Sequence, residues 1–338
     1  MIFWKPELVG KPLPAIITAQ AAYLPEKVLS NSDLEKMVDT SDEWIVTRTG
    51  IKERRLADPD EYASCMGAKA AQKCLAKANF DPSNIDAIIC ATMTPDYITP
   101  STAALIQSTI GATSACCIDI QAACSGFLYG LAIAKGWVES GQFKNVLLIA
   151  SEKNSAFVDY KDRNTCVLFG DGSGACLVQS AGSGYEIRHI RLGADGCESR
   201  LISIPAGGSR NPASQDSFSE GQHYMKMDGK EVFKHAVRRM EMSTKECLEA
   251  AGLKQSDISW LIPHQANIRI IDALANRFDI PYEKVFRTIH KYGNTSSATV
   301  LIALAELDEE HPPQPGQHLL LTAFGAGLTW GSSLLTKV

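Results

Sequence analysis

The chain has 338 residues, 45% hydrophobic and 21% charged, with a net charge of −5. By length and composition it is a globular protein of one or two domains with a large core, and the acidic balance excludes a chain-wide nucleic-acid surface. No apolar run approaches the roughly 18 residues that suggest a membrane span.

The opening MIFWKPELVGKPLP carries an acid and prolines where a signal peptide needs an apolar stretch. The ten cysteines are scattered singly through apolar runs, apart from Cys116 and Cys117, and no C-x-x-C occurs. A cytoplasmic protein with reduced thiols is expected. In chain order, a strand over residues 16–22 leads to a helix over 32–38, where Ser32 and Glu35 fit a capping box. A second box, Thr40 and Glu43, starts a helix that carries Trp44 and Arg48 on one face at i and i+4. Strands follow at 85–91, 116–120 and 146–150, with a hairpin-like pair around 170–174. The later half gives a strand at 185–192, a polar surface excursion at 205–224, a helix over 231–251, a strand at 258–262 and a turn at Gly325. Strands alternating with helices favour an α/β fold with parallel sheet faced by helices.

Two stretches are written twice. CLAKANFDPSNIDAIIC from Cys74 aligns without a gap with CLEAAGLKQSDISWLIP from Cys247, each a helix, a short loop and a buried strand. FGDGSGACLV from Phe169 is echoed by FGAGLTWGSSLL from Phe324. Matches in the same order predict a duplicated chain, with halves at 1–183 and 184–338.

Three residues at loop-to-helix junctions carry potential chemistry. Cys124, in DIQAACSGFLYGL, lies where a strand meets a helix, and a helix N-terminus favours the thiolate. His264, in WLIPHQANIRI, sits just past the C-terminal end of a strand, where ligands of α/β sheets gather. Asn294 precedes a small-residue helix in YGNTSSATVLIAL and would alone read as an N-cap. Cys, His and Asn are also a hydrolase set, and their spacing suits a papain-like protease. Such enzymes, however, place the cysteine near the mature N-terminus in C-G-[SA]-C-[WY], which AACSG does not match. FGDGSGA lacks the third glycine of a dinucleotide loop and the Lys-Ser/Thr of a P-loop, so it is read as a tight turn. No metal-ligand spacing is present, and neither a metal nor a redox cofactor is expected.

TSDEWIVTRTGIKERR, AACSGF, FGDGSGA, MDGKEVFKHAV, PHQANIRI, GNTSSA and FGAGLTWGS, in this order, resemble the β-ketoacyl-[acyl-carrier-protein] synthase III family of the thiolase superfamily. The resemblance spans about residues 15–338. It implies two βαβαβαββ halves stacked as α-β-α-β-α layers, and a ping-pong condensation. Acyl-CoA, usually acetyl-CoA, acylates Cys124; malonyl-acyl carrier protein then loses CO2 and its carbanion attacks the thioester. The product is a 3-ketoacyl-carrier protein, made without a cofactor beyond the substrates.

The resemblance further assigns the backbone N–H groups of Cys124 and Ala326 to the oxyanion, and has His264 (through Nε2–H) and Asn294 donate to the malonyl thioester carbonyl. Trp44 and Arg48 would sandwich the CoA adenine, with Thr40 and Arg163 nearby, and Gly229, Phe233 and Asn267 would line the pantetheine channel. Lys234, Gln265, Ala266, Asn267, Ile268 and Arg269 would meet the carrier protein. Lys230, Lys234 and Arg238, at i, i+4 and i+8 with Arg239 beside them, form a basic island suited to that acidic partner. Thr99 stands where acetyl-specific relatives carry phenylalanine, a residue that crosses a dimer interface and closes the acyl pocket; a homodimer and a longer or branched primer are implied. Two other readings use the same residues: a related acyltransferase of secondary metabolism with a different acceptor, and a non-catalytic acyl-CoA-binding protein.

Overall fold

In the computed structural model, which describes residues 12–338, nine strands form one mixed sheet. They are β1 (Ile16–Tyr23), β2 (Ala87–Ala91), β3 (Cys116–Ile120), β4 (Asn145–Glu152), β5 (Gly172–Gln179), β6 (Tyr185–Ala194), β7 (Ile258–Pro263), β8 (His318–Gly325) and β9 (Thr329–Lys337). The helices of eight residues or more are α1 (Asp42–Thr49), α2 (Ala63–Ala78), α3 (Thr102–Ile110), α4 (Gly126–Glu139), α5 (Gly229–Ala251), α6 (Ile268–Arg277) and α7 (Thr299–Glu310).

The strand order is β3-β2-β4-β5-β1, then β6-β9-β8-β7. Outward from the β1/β6 seam, each half sets its first strand, its last, its penultimate and its second in the same sequence. Directions repeat as well. β2 is parallel to β4 as β7 is to β8, while β4–β5, β5–β1, β8–β9 and β9–β6 are antiparallel. A single parallel bridge, Leu261 to Val285, stands where the partner of β3 would be. The seam itself is only two residue pairs long, Ile16–Glu186 and Ile17–Tyr185.

Helices make three layers around these two half-sheets. On one outer face, Ala70, Ala71 and Cys74 of α2 and Ile106 of α3 pack on Ile88, Cys90 and Ile149. Between the half-sheets, Phe127, Leu128 and Leu131 of α4 and Val300, Leu301 and Leu304 of α7 meet Ile89 on one side and Leu321 on the other. The second outer face is covered by α5 and α6 through Val237, Met240, Ile271 and Leu274. The result is the α-β-α-β-α stack. Burying each large aliphatic chain of the central layer contributes about 1.5–3 kcal/mol, so the shared helices, rather than the short seam, hold the half-sheets together. Gly130 lets α4 approach: a Cβ there would lie 2.5 Å from Leu148 Cδ1.

Local differences from the sequence reading have physical causes. The one-turn helix Asn31–Leu34 is capped by Ser30 in a reciprocal box with Asp33, not by Ser32 with Glu35; Glu35 instead accepts from the Asp42 N–H at 2.6 Å. Ser41, not Thr40, caps α1, accepting from the Trp44 N–H at 3.1 Å, and the buried Thr40 Oγ1 has no partner among the described residues. Adjacent hydroxyls look alike in sequence; only the extended backbone of Ser41 aims its oxygen at the helix. The pair expected around 170–174 is no hairpin, because β5 pairs with β1 and β4 while the preceding turn binds the Asn294 loop.

Candidate active site

After β3 the chain bends through Ala122, and residues Ala123–Ser125 form a 3-10 turn that runs straight into α4 at Gly126. Cys124 is the middle of that turn. Ala123 is held at φ 45°, a left-handed conformation costing about 1–3 kcal/mol for a residue with a Cβ. Its surroundings enforce the bend. Thr329 Oγ1 donates to Ala122 O at 2.8 Å, and a Cβ on Gly126 would press on Ala91 Cβ at 3.1 Å and Ser297 Cβ at 3.3 Å. The end of β8 closes the other side: a Cβ on Gly325 would stand 2.7 Å from Cys124 N. Among the described residues neither the Cys124 nor the Ala326 N–H donates to a protein acceptor, which leaves two donors at the wall of one cavity. Burial pushes the Cys124 thiol up to about 12, eased by the Ser296 hydroxyl 3.5 Å away and reinforced by Glu152. Desolvation is the largest influence on this thiol, and it acts against the thiolate that the position before a helix favours.

His264 follows β7 and is fixed by its N–H, which donates to Thr322 O of β8 at 2.8 Å. Its ring is 3% exposed, and desolvation pulls its pKa down to about 3, so the imidazole is neutral and carries one proton. Nδ1 lies 2.6 Å from Thr299 Oγ1, leaving Nε2 as the ring nitrogen without a protein partner among the described residues.

The Asn294 loop explains two glycine motifs at once. Gly170 N–H donates to Asn294 O at 3.0 Å and Asn294 N–H to Leu168 O at 2.8 Å, so FGDG and GNT are the two sides of one clasp. Both need glycine. A Cβ on Gly170 would fall 2.5 Å from Tyr292 O, and one on Gly293, at φ 62°, would fall 2.7 Å from Leu168 O. The Ser296 N–H donates to Asn294 Oδ1 at 2.8 Å, which turns the amide so that Nδ2 is its free, donating end. The 3-10 turn that follows takes Thr295 as its N-cap position, one residue after Asn294.

Three supporting residues carried little or no sequence signal. Ser296, at φ 52°, touches Cys124 with its hydroxyl and orients Asn294 with its N–H. Glu152, wholly buried at the end of β4, receives Thr94 Oγ1 at 2.8 Å, Ser297 Oγ at 2.7 Å and the Met93 N–H at 3.1 Å, and burial raises its pKa. It ties the loop after β2 to the loop before α7. Arg54, wholly buried, donates to Leu29 O, Asn31 Oδ1 and Val167 O at 3.1, 2.9 and 2.7 Å, bracing the FGDG side of the clasp. A single acid ending the apolar run NVLLIASE was the one readable hint of Glu152.

Cys124, His264, Asn294 and Ala326 line one apolar cavity of about 60 Å³, walled also by Met93, Met225, Met227 and Met240. Ala266 belongs to the same wall. Trp44 stands apart, flanked by two guanidinium groups: Arg48 4.7 Å and Arg163 5.2 Å from its ring centre. Arg163 also donates to Asp39 O at 3.0 Å. Gly229 opens α5 and is exposed, and Phe233 one turn on is 38% exposed. Asn267 caps α6, accepting from the Arg269 N–H at 2.9 Å. Ile268 is half-buried against Gly50.

Two expected surface residues are not surface residues. The Gln265 side chain is 1% exposed, donating to Pro263 O and accepting from the Thr288 and Ile289 N–H groups, so it cannot reach a docked protein. Arg239 pairs with Asp195 at 2.5 Å and lies over the Trp330 ring, which removes it from the basic island. Lys230, Arg238 and Arg269 are exposed, and exposed Lys234 is shared with Glu231 at 2.7 Å. Thr99 is exposed on the loop after β2 and lines neither the Cys124 cavity nor the adjoining cleft; its neighbours Tyr97 and Ile98 line that cleft and are 60% and 92% exposed.

Residues 118–196 match the family domain 3-oxoacyl-[acyl-carrier-protein (ACP)] synthase III, and residues 248–337 its C-terminal domain. The β-ketoacyl-[acyl-carrier-protein] synthase III of Chlamydia caviae is 59% identical over 331 residues, 98% of this chain and 99% of the relative. The crystal structure of the Aquifex aeolicus synthase III superposes with a TM-score of 0.87 at 48% identity, over 96% of this chain and 99% of that one. The priming β-ketosynthase of the R1128 polyketide pathway superposes at 0.88 with 35% identity, over 98% and 99%. With three reactive groups converging on one cavity in the thiolase-like stack, and likeness of this extent along nearly the whole chain, the protein belongs to the β-ketoacyl-[acyl-carrier-protein] synthase III family of condensing enzymes.

Proposed function

We propose that this condensing acyltransferase starts type II fatty-acid synthesis, taking acetyl-CoA or a somewhat larger acyl-CoA as primer and malonyl-acyl carrier protein as acceptor. The convergence of Cys124, His264 and Asn294 on one cavity beside two unpaired N–H groups carries the reading. Cys124 Sγ attacks the thioester carbonyl, and the oxyanion forms against the Cys124 and Ala326 N–H groups. Each such donor contributes roughly 3 kcal/mol to the transition state. The C–S bond to coenzyme A breaks and CoA leaves protonated. In the second half-reaction malonyl-carrier protein loses CO2, with Asn294 Nδ2 and His264 placed to hold its thioester carbonyl. The resulting carbanion attacks the acyl-Cys124 carbonyl and releases the 3-ketoacyl-carrier protein.

The cluster of Trp44, Arg48 and Arg163 supports adenine binding, one guanidinium moving off the indole to admit the purine between them. Phe233, the Gly229 end of α5 and Asn267 at the start of α6 fit the pantetheine path. Lys230, Lys234, Arg238 and Arg269 suit an acidic carrier protein, and neutralising Lys234 and Arg269 together should raise KM for malonyl-carrier protein while sparing acylation. The exposed Tyr97, Ile98 and Thr99 loop fits a homodimer in which Thr99 gates the partner's acyl pocket. The repeated strand order supports a division into halves at 183/184, and the chain is read as cytoplasmic and free of cofactors.

The test is mass spectrometry of carrier protein after incubation with enzyme, acetyl-CoA and malonyl-carrier protein, alongside Cys124→Ala. Acetoacetyl-carrier protein from the wild type alone supports the reading. Acyl-enzyme without a ketoacyl product would favour a different acceptor, the reading suggested by the likeness to the priming polyketide ketosynthase.

A further inference from the structure

Beside the lone Leu261–Val285 bridge, where the second half lacks a counterpart of β3, lies a cleft of about 510 Å³, a size ordinary for small-molecule sites. It shares no lining residue with the Cys124 cavity or with the cleft that adjoins it. Trp260 of β7, Tyr282, Phe286, Arg287 and His290 on the segment between α6 and α7, and His311 just after α7 supply its aromatic and cationic groups. None of them has a part in the condensation described above.

Arg287 is the unusual member. Its guanidinium lies 3.3 Å from the Tyr282 ring centre and is half-buried. Among the described residues no oxygen accepts from its N–H groups and no carboxylate pairs with it. Burial pulls it below its usual range, and Asp272, the one charge that eases this, makes no ion pair with it. A guanidinium held flat and partly desolvated is a preformed fork for a carboxylate or phosphate. The surrounding field is positive: His290 is pulled down by burial, then by Lys291, Lys52 and Arg287, against Glu306. Glu283, a carboxylate in the lining, is exposed and forms no ion pair among the described residues. The rest of the wall is aromatic. His311 lies against Trp260 with ring centres 5.6 Å and planes 23° apart, and Phe286 meets Trp260 edge-on at 6.1 Å. Because His311 is exposed and lines the cleft, this stack presents a flat ring to whatever enters.

We infer that the cleft is a second ligand site, taking a small molecule whose planar aromatic ring bears a carboxylate or phosphate. The anion sits on the Arg287 fork and the ring against the His311–Trp260 stack. An aliphatic anion would leave that stack unused, and a neutral ring would leave the guanidinium unpaired. The site is independent of the acyl-transfer reading.

Isothermal titration calorimetry of the full-length enzyme tests it, with coenzyme A at saturation to fill any adenine site at Trp44. Indole-3-acetate and adenosine monophosphate are the ring-bearing anions; acetate and inorganic phosphate supply the anion alone, indole and adenosine the ring alone. At least one ring-bearing anion should bind one site per chain, about tenfold or more tighter than either of its halves. Which of the two binds tells carboxylate from phosphate. Arg287→Gln should weaken binding about tenfold or more, and His311→Ala about fivefold. Neither side chain is fully buried, and urea midpoints should stay at the wild-type value. No binding of either ring-bearing anion at millimolar concentration overturns the proposal, as does an affinity unchanged in either variant or matched by acetate or phosphate alone.

Discussion

Replacing Gly325 with alanine tests how the oxyanion site is built. The added Cβ would lie 2.7 Å from Cys124 N, 3.1 Å from Ser125 N and 3.2 Å from Cys124 Cα. All three are backbone atoms of the turn that presents the nucleophile, so no flexible side chain can yield. Relief requires β8 and the Cys124 turn to part by several tenths of an ångström, and overpacking of this kind costs about 1–3 kcal/mol of stability. The larger effect is chemical. The methyl stands in front of the Cys124 N–H, and loss of one oxyanion donor slows turnover about a hundredfold to a thousandfold. The assay is single-turnover CoA release from acetyl-CoA, with urea unfolding as the stability readout and Ala326→Gly as control, since that change keeps its N–H. If Gly325→Ala were destabilised yet released CoA within about threefold of the wild type, the close approach would not frame the donor and the argument would fail.

Two further outcomes follow from buried titrating groups. With the Cys124 thiol pushed up to about 12, iodoacetamide should alkylate Cys124 about tenfold faster per pH unit between about pH 7 and pH 10. Glu152→Gln should speed alkylation at fixed pH, and a plateau below about pH 8 would refute dominance by burial. For His264, the folded pKa of about 3 lies below the ordinary 6.5, so between those values the unfolded chain takes up a proton that the native site refuses. Its contribution to stability is full above about pH 6.5 and falls with decreasing pH by about 1.4 kcal/mol per unit. Urea midpoints measured from about pH 7 down to pH 4 should fall more steeply for the wild type than for His264→Gln; equal slopes would show that His264 titrates freely.

Cys124, His264 and Asn294 were legible because each lies where a strand or loop hands over to a helix, and such junctions are marked by small residues and by the end of an apolar run. Their supports were not, because each acts across the fold. Glu152 joins loops that are distant in sequence, and Ser296 works through a backbone torsion that its neighbours impose. Arg54 differs in nothing from adjacent Arg55 until its burial is seen. Position within a motif also says little about which way a side chain points: Gln265 adjoins His264 but faces inward, and Arg239 adjoins Arg238 but meets an acid at the end of β6. The layered stack was implied by the family resemblance and agrees with the duplication, whereas the counterpart of β3 shrank to one bridge that no pattern announces.

The cavity combines an unyielding floor with a soft wall. Cys124, Gly325 and Asn294 are held by backbone contacts that admit no extra atom, while Met93, Met225, Met227 and Met240 face them with unbranched thioether chains that change rotamer readily. Evolution can therefore retune what the enzyme accepts by exchanging one methionine for a bulkier or smaller neighbour, leaving the reacting groups where they are. Variation in primer range among close descendants of this chain should accumulate in that wall, and the chemistry should drift far more slowly than the choice of substrate.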